Sequence, residues 1–250
     1  MPDDTPLIAA PLDWAPRPGA VAVPASGVID IWRIDLVSQG AAAADAAGVL
    51  SADELARADR YRLERHRARF ILGRAALREI IGAYCGMVPR EVVFAIEAAG
   101  RPALVGRPDI VFSYSKTNTA AVLAVTGAGR LGADIEPVAE KPDLDLIIAD
   151  QYSPIERDQL SRLAVAARLE GFYRGWTAKE ALVKATGEGL TSLLPKITAE
   201  LDPAAPARLI DGPVPYRPDI WRLKAFAAAP GVLGALALDR PIEAIRAIVR

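Results

Sequence analysis

The sequence predicts an α+β protein of two pseudo-symmetric α/β lobes related by internal duplication, each a small, mainly antiparallel sheet packed with a long helix. Three observations lead there. Ser51-Ala-Asp-Glu54 and Ser153-Pro-Ile-Glu156 both read as capping boxes that open a helix, and they stand 102 residues apart. At the same offset Phe70-x-x-Gly73 recurs as Phe172-x-x-Gly175. Upstream and again in register, "IDIWRI" (29–34) and "LGADIE" (131–136) read as strands.

Residues 1–27 carry acidic residues and scattered prolines without the basic and apolar segments of a signal peptide, so an irregular arm is expected. The first lobe, 28–128, is expected to run as a strand at 28–36, a helical region at 52–85, and strands at 91–97, 110–116 and 119–126. The second, 129–250, repeats the plan with a strand at 130–136, a helical region at 154–186, and strands at 195–201, 219–228 and 232–239. Pro154 takes the first helical position, where its missing N–H does no harm. The last two strands read as a hairpin across "APGV". A ligand is expected in the cleft between the lobes.

A chain with 52% hydrophobic residues and a net charge of −1 suits an ordinary soluble globular protein. It has no run of about 18 uncharged apolar residues, so no membrane helix is expected. A single cysteine, Cys85, excludes an internal disulfide and a cysteine-cluster metal site. A cytoplasmic location is the default. The basic residues comprise 24 arginines and six lysines, yet two of those lysines, Lys179 and Lys184, fall in one apolar helical stretch with Glu180. At about 100° per residue, Phe172, Trp176 and Val183 define one stripe; Lys179 falls within it and Glu180 at its edge. An i,i+4 surface pair of Glu180 with Lys184 is the plain alternative.

"GADIEP" places Asp134 and Glu136 on one face of a strand, with Ile135 directed to the core. Two carboxylates on one face repel unless a cation lies between them, and hard oxygen donors favour Mg²⁺. Two exposed acids at a strand end are the alternative, weakened by Glu180 as a third carboxylate in the same lobe. The first lobe is the opposite: Arg57 to Arg78 hold eight arginines against two acids, which suits an anionic partner. A polyphosphate ligand or an acidic protein surface ranks ahead of nucleic acid, for which no motif is present. In "FSYSKTNTAAVLAV", Ser113, Ser115, Lys116 and Thr117 could hold a phosphate or form a polar turn. His66, the only histidine, has no nucleophile assigned beside it and is read as noncatalytic.

Taken together, "RFILGR", Gly100-Arg101-Pro102, "FSYSKT", "GADIEP" and "WTAKEALVKATGEGL" resemble the 4′-phosphopantetheinyl transferases of the surfactin-synthetase-activating (Sfp) type, over about residues 50–192. The resemblance implies a monomer of two pseudo-symmetric lobes. It also implies that Asp134, Glu136 and Glu180 ligate Mg²⁺ with the coenzyme A pyrophosphate. A carrier-protein serine attacks the phosphate bonded to pantetheine and 3′,5′-ADP leaves. Glu180 is the implied general base, and Lys184 neutralises or protonates the leaving group. Lys179, Arg69, Arg101, Ser115 and Lys116 are the implied coenzyme A contacts, Arg69 at the 3′-phosphate. Three departures stand out: Ser115-Lys116-Thr117 replaces the usual S-H-S, Arg101 replaces a lysine, and Ser113 replaces an asparagine. A homologue that only binds coenzyme A or carrier protein, and another metal-dependent phosphotransferase or nuclease, are the competing readings.

Overall fold

A computed structural model describes residues 12–37, 41–96, 102–189 and 192–250, and the architecture is α+β. In chain order the elements are β1 (Trp14–Pro16), β2 (Val28–Asp35), α1 (Ala41–Ala46), α2 (Ala52–Ala58), α3 (Glu64–Cys85), β3 (Phe94–Ile96), β4 (Pro102–Leu104), β5 (Val111–Lys116) and β6 (Ala120–Thr126). There follow β7 (Leu131–Pro137), α4 (Leu144–Gln151), α5 (Pro154–Arg162), α6 (Val165–Thr186), β8 (Thr198–Ala199), β9 (Leu209–Asp211), β10 (Arg222–Ala229), β11 (Val232–Leu238) and β12 (Ala244–Val249).

Both capping boxes form: each serine hydroxyl accepts from the N–H three residues on, and Glu54 and Glu156 reach back to the serine N–H groups. The long helical regions each divide in two, which the periodicity did not predict. The breaks fall at Leu63, whose backbone is extended, and at Ala164, whose ψ of 149° is not helical. Helices α3 and α6 are both 22 residues long, and both end on a left-handed glycine, Gly86 and Gly187.

The larger sheet has the order β1-β12-β2-β6-β5, and the smaller β10-β11-β7. Most neighbours are antiparallel, as expected, but β12 runs parallel to β2 and β1 parallel to β12. Strand β12 thus carries the C-terminal end of the chain back into the first sheet, a crossing the sequence reading had not assigned. Arg246 on β12 pairs with buried Asp30 on β2 (2.9 Å), and Tyr84 of α3 donates to the same carboxylate (2.5 Å). Among the described residues, three of the four apolar clusters follow from this layering. One lies between α3 and the larger sheet, with Trp32, Leu72 and Phe112; another packs α6 on the smaller sheet, with Phe172, Leu182 and Leu233. The third is shared by the two sheets, through Ile31, Val122, Ala133, Phe226 and Leu236. Strands β6 and β11 are buried along their whole length because both faces are covered, which accounts for their unbroken runs of small apolar residues.

Candidate active site

Strand β7 crosses α6 at very close range. A Cβ on Gly132 would overlap the carbonyl of Ala181 in α6, so only glycine permits this approach. The contact brings Asp134 and Glu136 of β7 beside Glu180 and Lys184 of α6. On its other side β7 meets β5 through side chains: Ser113 Oγ accepts from the N–H of Ala133 (2.9 Å) and Ser115 Oγ from that of Ile135 (3.3 Å).

Asp134 is the centre of the site and is 4% exposed. Its Oδ1 accepts from the Ser115 hydroxyl (2.8 Å) and from the Lys184 ammonium (2.7 Å), whereas Oδ2 is buried without a partner. Burial first, then the neighbouring Asp134 carboxylate, push the carboxyl of Glu136 up; Lys141, Lys184 and a hydrogen bond from Trp176 act against them. The carboxyl of Glu180 is likewise raised by burial and by Asp134, with a further push from Glu136, and Lys184 opposes the shift. Like charges are therefore crowded on two adjacent elements, with one ammonium in electrostatic reach of all three. Among the described residues no three His, Cys, Asp or Glu side chains converge closely enough to hold a metal ion by themselves. An orphaned buried oxygen on Asp134 beside two carboxyls whose pKa values are raised is nevertheless a hard-oxygen donor set that suits Mg²⁺.

Two expected coenzyme A contacts have their polar atoms engaged within the protein. Lys179 is 1% exposed and turned away from the carboxylates. Its ammonium pairs with Glu156 Oε2 (2.5 Å) and donates to the carbonyls of Gln151 (2.8 Å) and Leu194 (2.9 Å), which uses all three donors. The hydroxyl of Ser115 is also fully used: it donates to Asp134 and accepts from Lys184 (2.9 Å) and the Ile135 N–H. Its place is in the joint between strands.

Arg69 and Lys116 lie on the other face of β5. Alternation along the strand sends Ser113 and Ser115 toward β7, while Tyr114 packs its hydroxyl against Gly73 of α3. Lys116 follows Tyr114, at the exposed end of the strand. Crowding around its ammonium, and then the guanidinium groups of Arg57 and Arg74, hold its pKa below the ordinary lysine value. Arg69 donates to Asn118 Oδ1 (3.3 Å) in the β5–β6 turn, and its Nε is buried without a partner. The tip of β5 therefore separates a basic cluster from an acidic one. Arg101 lies outside the described residues. Sequence reasoning missed Trp176, Lys141, Arg57 and Arg74 as site residues; Trp176 and the arginines stood in the motifs already singled out.

Residues 130–224, which include the three carboxylates and Lys184, match the family described as the 4′-phosphopantetheinyl transferase superfamily. The chain is 36% identical over 228 residues to the 4′-phosphopantetheinyl transferase HetI of Nostoc sp., covering 90% of this chain and 93% of that protein. It is 32% identical over 169 residues to the 4′-phosphopantetheinyl transferase psf-1 of Bacillus pumilus, covering 66% and 71% respectively. The likeness to the 4′-phosphopantetheinyl transferase of Bacillus subtilis is 27% over 152 residues, covering 61% and 66%. Similarity that runs nearly end to end, together with a carboxylate cluster inside the matched region, makes this chain a member of the 4′-phosphopantetheinyl transferase superfamily.

Proposed function

We propose that the protein is an Sfp-type enzyme that moves 4′-phosphopantetheine from coenzyme A to a serine of an apo acyl or peptidyl carrier protein, with Asp134, Glu136 and Glu180 holding Mg²⁺. The observation that carries the reading is the buried, unpartnered Oδ2 of Asp134 between two carboxyls whose pKa values are raised. Mg²⁺ bound there would neutralise charge on the pyrophosphate. Glu180 takes the proton of the carrier serine; a carboxylate with a raised pKa is the stronger base. The serine oxygen forms a bond to the phosphorus attached to pantetheine, and the bond to the departing 3′,5′-ADP breaks. Lys184 offsets the negative charge that collects on the leaving group. On the far side of β5, Lys116 and Arg69, and Arg101 by resemblance, serve the coenzyme A phosphates. The enzyme is read as a cytoplasmic monomer; no helix among the described residues is long and apolar enough to cross a membrane.

Intact-mass spectrometry of an apo carrier protein incubated with the protein, coenzyme A and Mg²⁺ tests this. A phosphopantetheine-sized gain on the carrier, abolished by EDTA and by Glu180→Gln in a folded variant, is expected. Full activity of Glu180→Gln would remove Glu180 from the site, and a gain that persists in EDTA would remove the metal.

A further inference from the structure

Helix α6 carries two lysines four residues or fewer from Glu180, and they are held very differently. Lys179 is caged by three fixed acceptors and is 2% exposed in its side chain. Lys184 has a side chain 31% exposed, and its ammonium rests on Asp134 Oδ1 (2.7 Å) and Ser115 Oγ (2.9 Å). A buried carboxylate without a counter-charge is costly. In this structure Lys184 supplies that charge, on the carboxylate a metal ion would have to bind.

We propose that Lys184 is an internal counter-ion that holds the acidic site against divalent metal until an anionic substrate draws its ammonium away, so that metal and coenzyme A bind interdependently; this rests on the trio being the metal site. The parts suit the exchange. Lysine is a point charge on a flexible four-carbon stem, so Lys184 leaves Asp134 without disturbing α6. A pyrophosphate offers it charged oxygens in return. Ser115 stays behind, still donating to Asp134 Oδ1 and anchored to the Ile135 N–H, and keeps the carboxylate oriented. By linkage, coenzyme A tightens metal binding by the same factor that metal tightens coenzyme A.

Mn²⁺ titration of the full chain, with free Mn²⁺ counted by electron paramagnetic resonance, reads the exchange without turnover. Lys184→Met without coenzyme A is expected to bind Mn²⁺ at least about ten-fold more tightly than the unsubstituted protein, because a competing charge is gone. The enhancement produced by coenzyme A is expected to be smaller in the variant. If Lys184→Met and Lys184→Gln, each folded by circular dichroism, bind Mn²⁺ no better than the unsubstituted protein, the counter-ion role is wrong. Asp134→Asn separates the two levels. Weakened Mn²⁺ binding in that variant with coenzyme A present, beside no gain in the Lys184 variants, overturns the counter-ion alone. Undiminished binding in Asp134→Asn overturns the metal site itself.

Discussion

Ser115 and Lys116 are consecutive residues whose side chains serve opposite faces of β5, and the difference decides what each substitution does. Lys116 points to the arginine cluster of α2 and α3, where its charge adds to those of Arg57 and Arg74. Three like charges gathered at an exposed strand end favour a polyanion. Lys116→Ala is expected to raise KM for coenzyme A roughly ten-fold, the worth of one charge-assisted hydrogen bond, with little change in kcat. Steady-state kinetics with coenzyme A as the varied substrate would check it. A matching fall in kcat would move Lys116 to the reacting phosphate. Glu54 supplies a prediction about acid stability. Hydrogen bonds from Arg78, Ser51 and Arg74 outweigh burial and hold its carboxyl below the ordinary glutamate value of 4.5. A depressed folded pKa means that its contribution is complete above that value and is lost as pH falls through the folded pKa. Glu54→Gln is therefore expected to lower the melting temperature at pH 7, and the gap to the unsubstituted protein is expected to close as the melts are taken into the acid range.

At the scale of elements, the two capping boxes do the same work twice. Each glutamate closes the N-terminus of a short helix and also pairs with a cation from the long helix that follows: Glu54 with Arg74 and Arg78, Glu156 with Lys179. The pairs dock α2 on α3 and α5 on α6. In the second half the pair is sealed, and burial pushes Glu156 up and Lys179 down toward their neutral forms. Lys179→Met is expected to cost about 3–5 kcal/mol, since it strands a buried carboxylate. Adding Glu156→Gln should restore much of that, because the amide oxygen still accepts from a backbone N–H and no charge is left unpaired. Chemical denaturation of the two variants measures the difference; a double variant no more stable than Lys179→Met would show that the cost is packing. The glycines of the recurring Phe-x-x-Gly belong to the same logic. A Cβ on Gly73 would strike the Tyr114 hydroxyl, and one on Gly175 would come within 2.6 Å of Leu201 and 2.8 Å of Tyr152.

Across the whole molecule, the two sheets are joined by a shared apolar core and by two serine hydroxyls that take the place of a strand-to-strand ladder. The same seam carries the site. Ser113→Ala leaves the Ala133 N–H without its acceptor and is expected to cost about 1–3 kcal/mol, with kcat kept. Ser115→Ala is expected to cost a similar amount and also to lower kcat, because Asp134 loses a fixed hydrogen bond. Parallel thermal melts and carrier-loading rates distinguish the two, and equal loss of activity in both variants would mean that the seam as a whole, not Asp134, is what the serines support.

The recurrence of a capping box, a Phe-x-x-Gly and a strand at one offset was legible because a repeat at fixed spacing shows in the sequence itself, and so was the α+β class; of the three, the capping box alone depends on contacts within a few residues. Asp134, Glu136 and Glu180 were legible as a group because three carboxylates on partly buried faces of one lobe are anomalous in any fold, and the resemblance added Lys184. Partners were not. Helical spacing sets Lys179 on the apolar stripe and Lys184 off it, but only the packing supplies what each meets: Glu156, Gln151 and Leu194 hold Lys179, while Asp134 and Ser115 receive Lys184. Strand β12 shows the same limit: it lies beside β2, where Arg246 meets the buried Asp30, through contacts 216 residues apart in the chain. Spacing and the motifs determined which residues were candidates for chemistry; long-range contacts, which no spacing encodes, decided which of them stand together around Asp134.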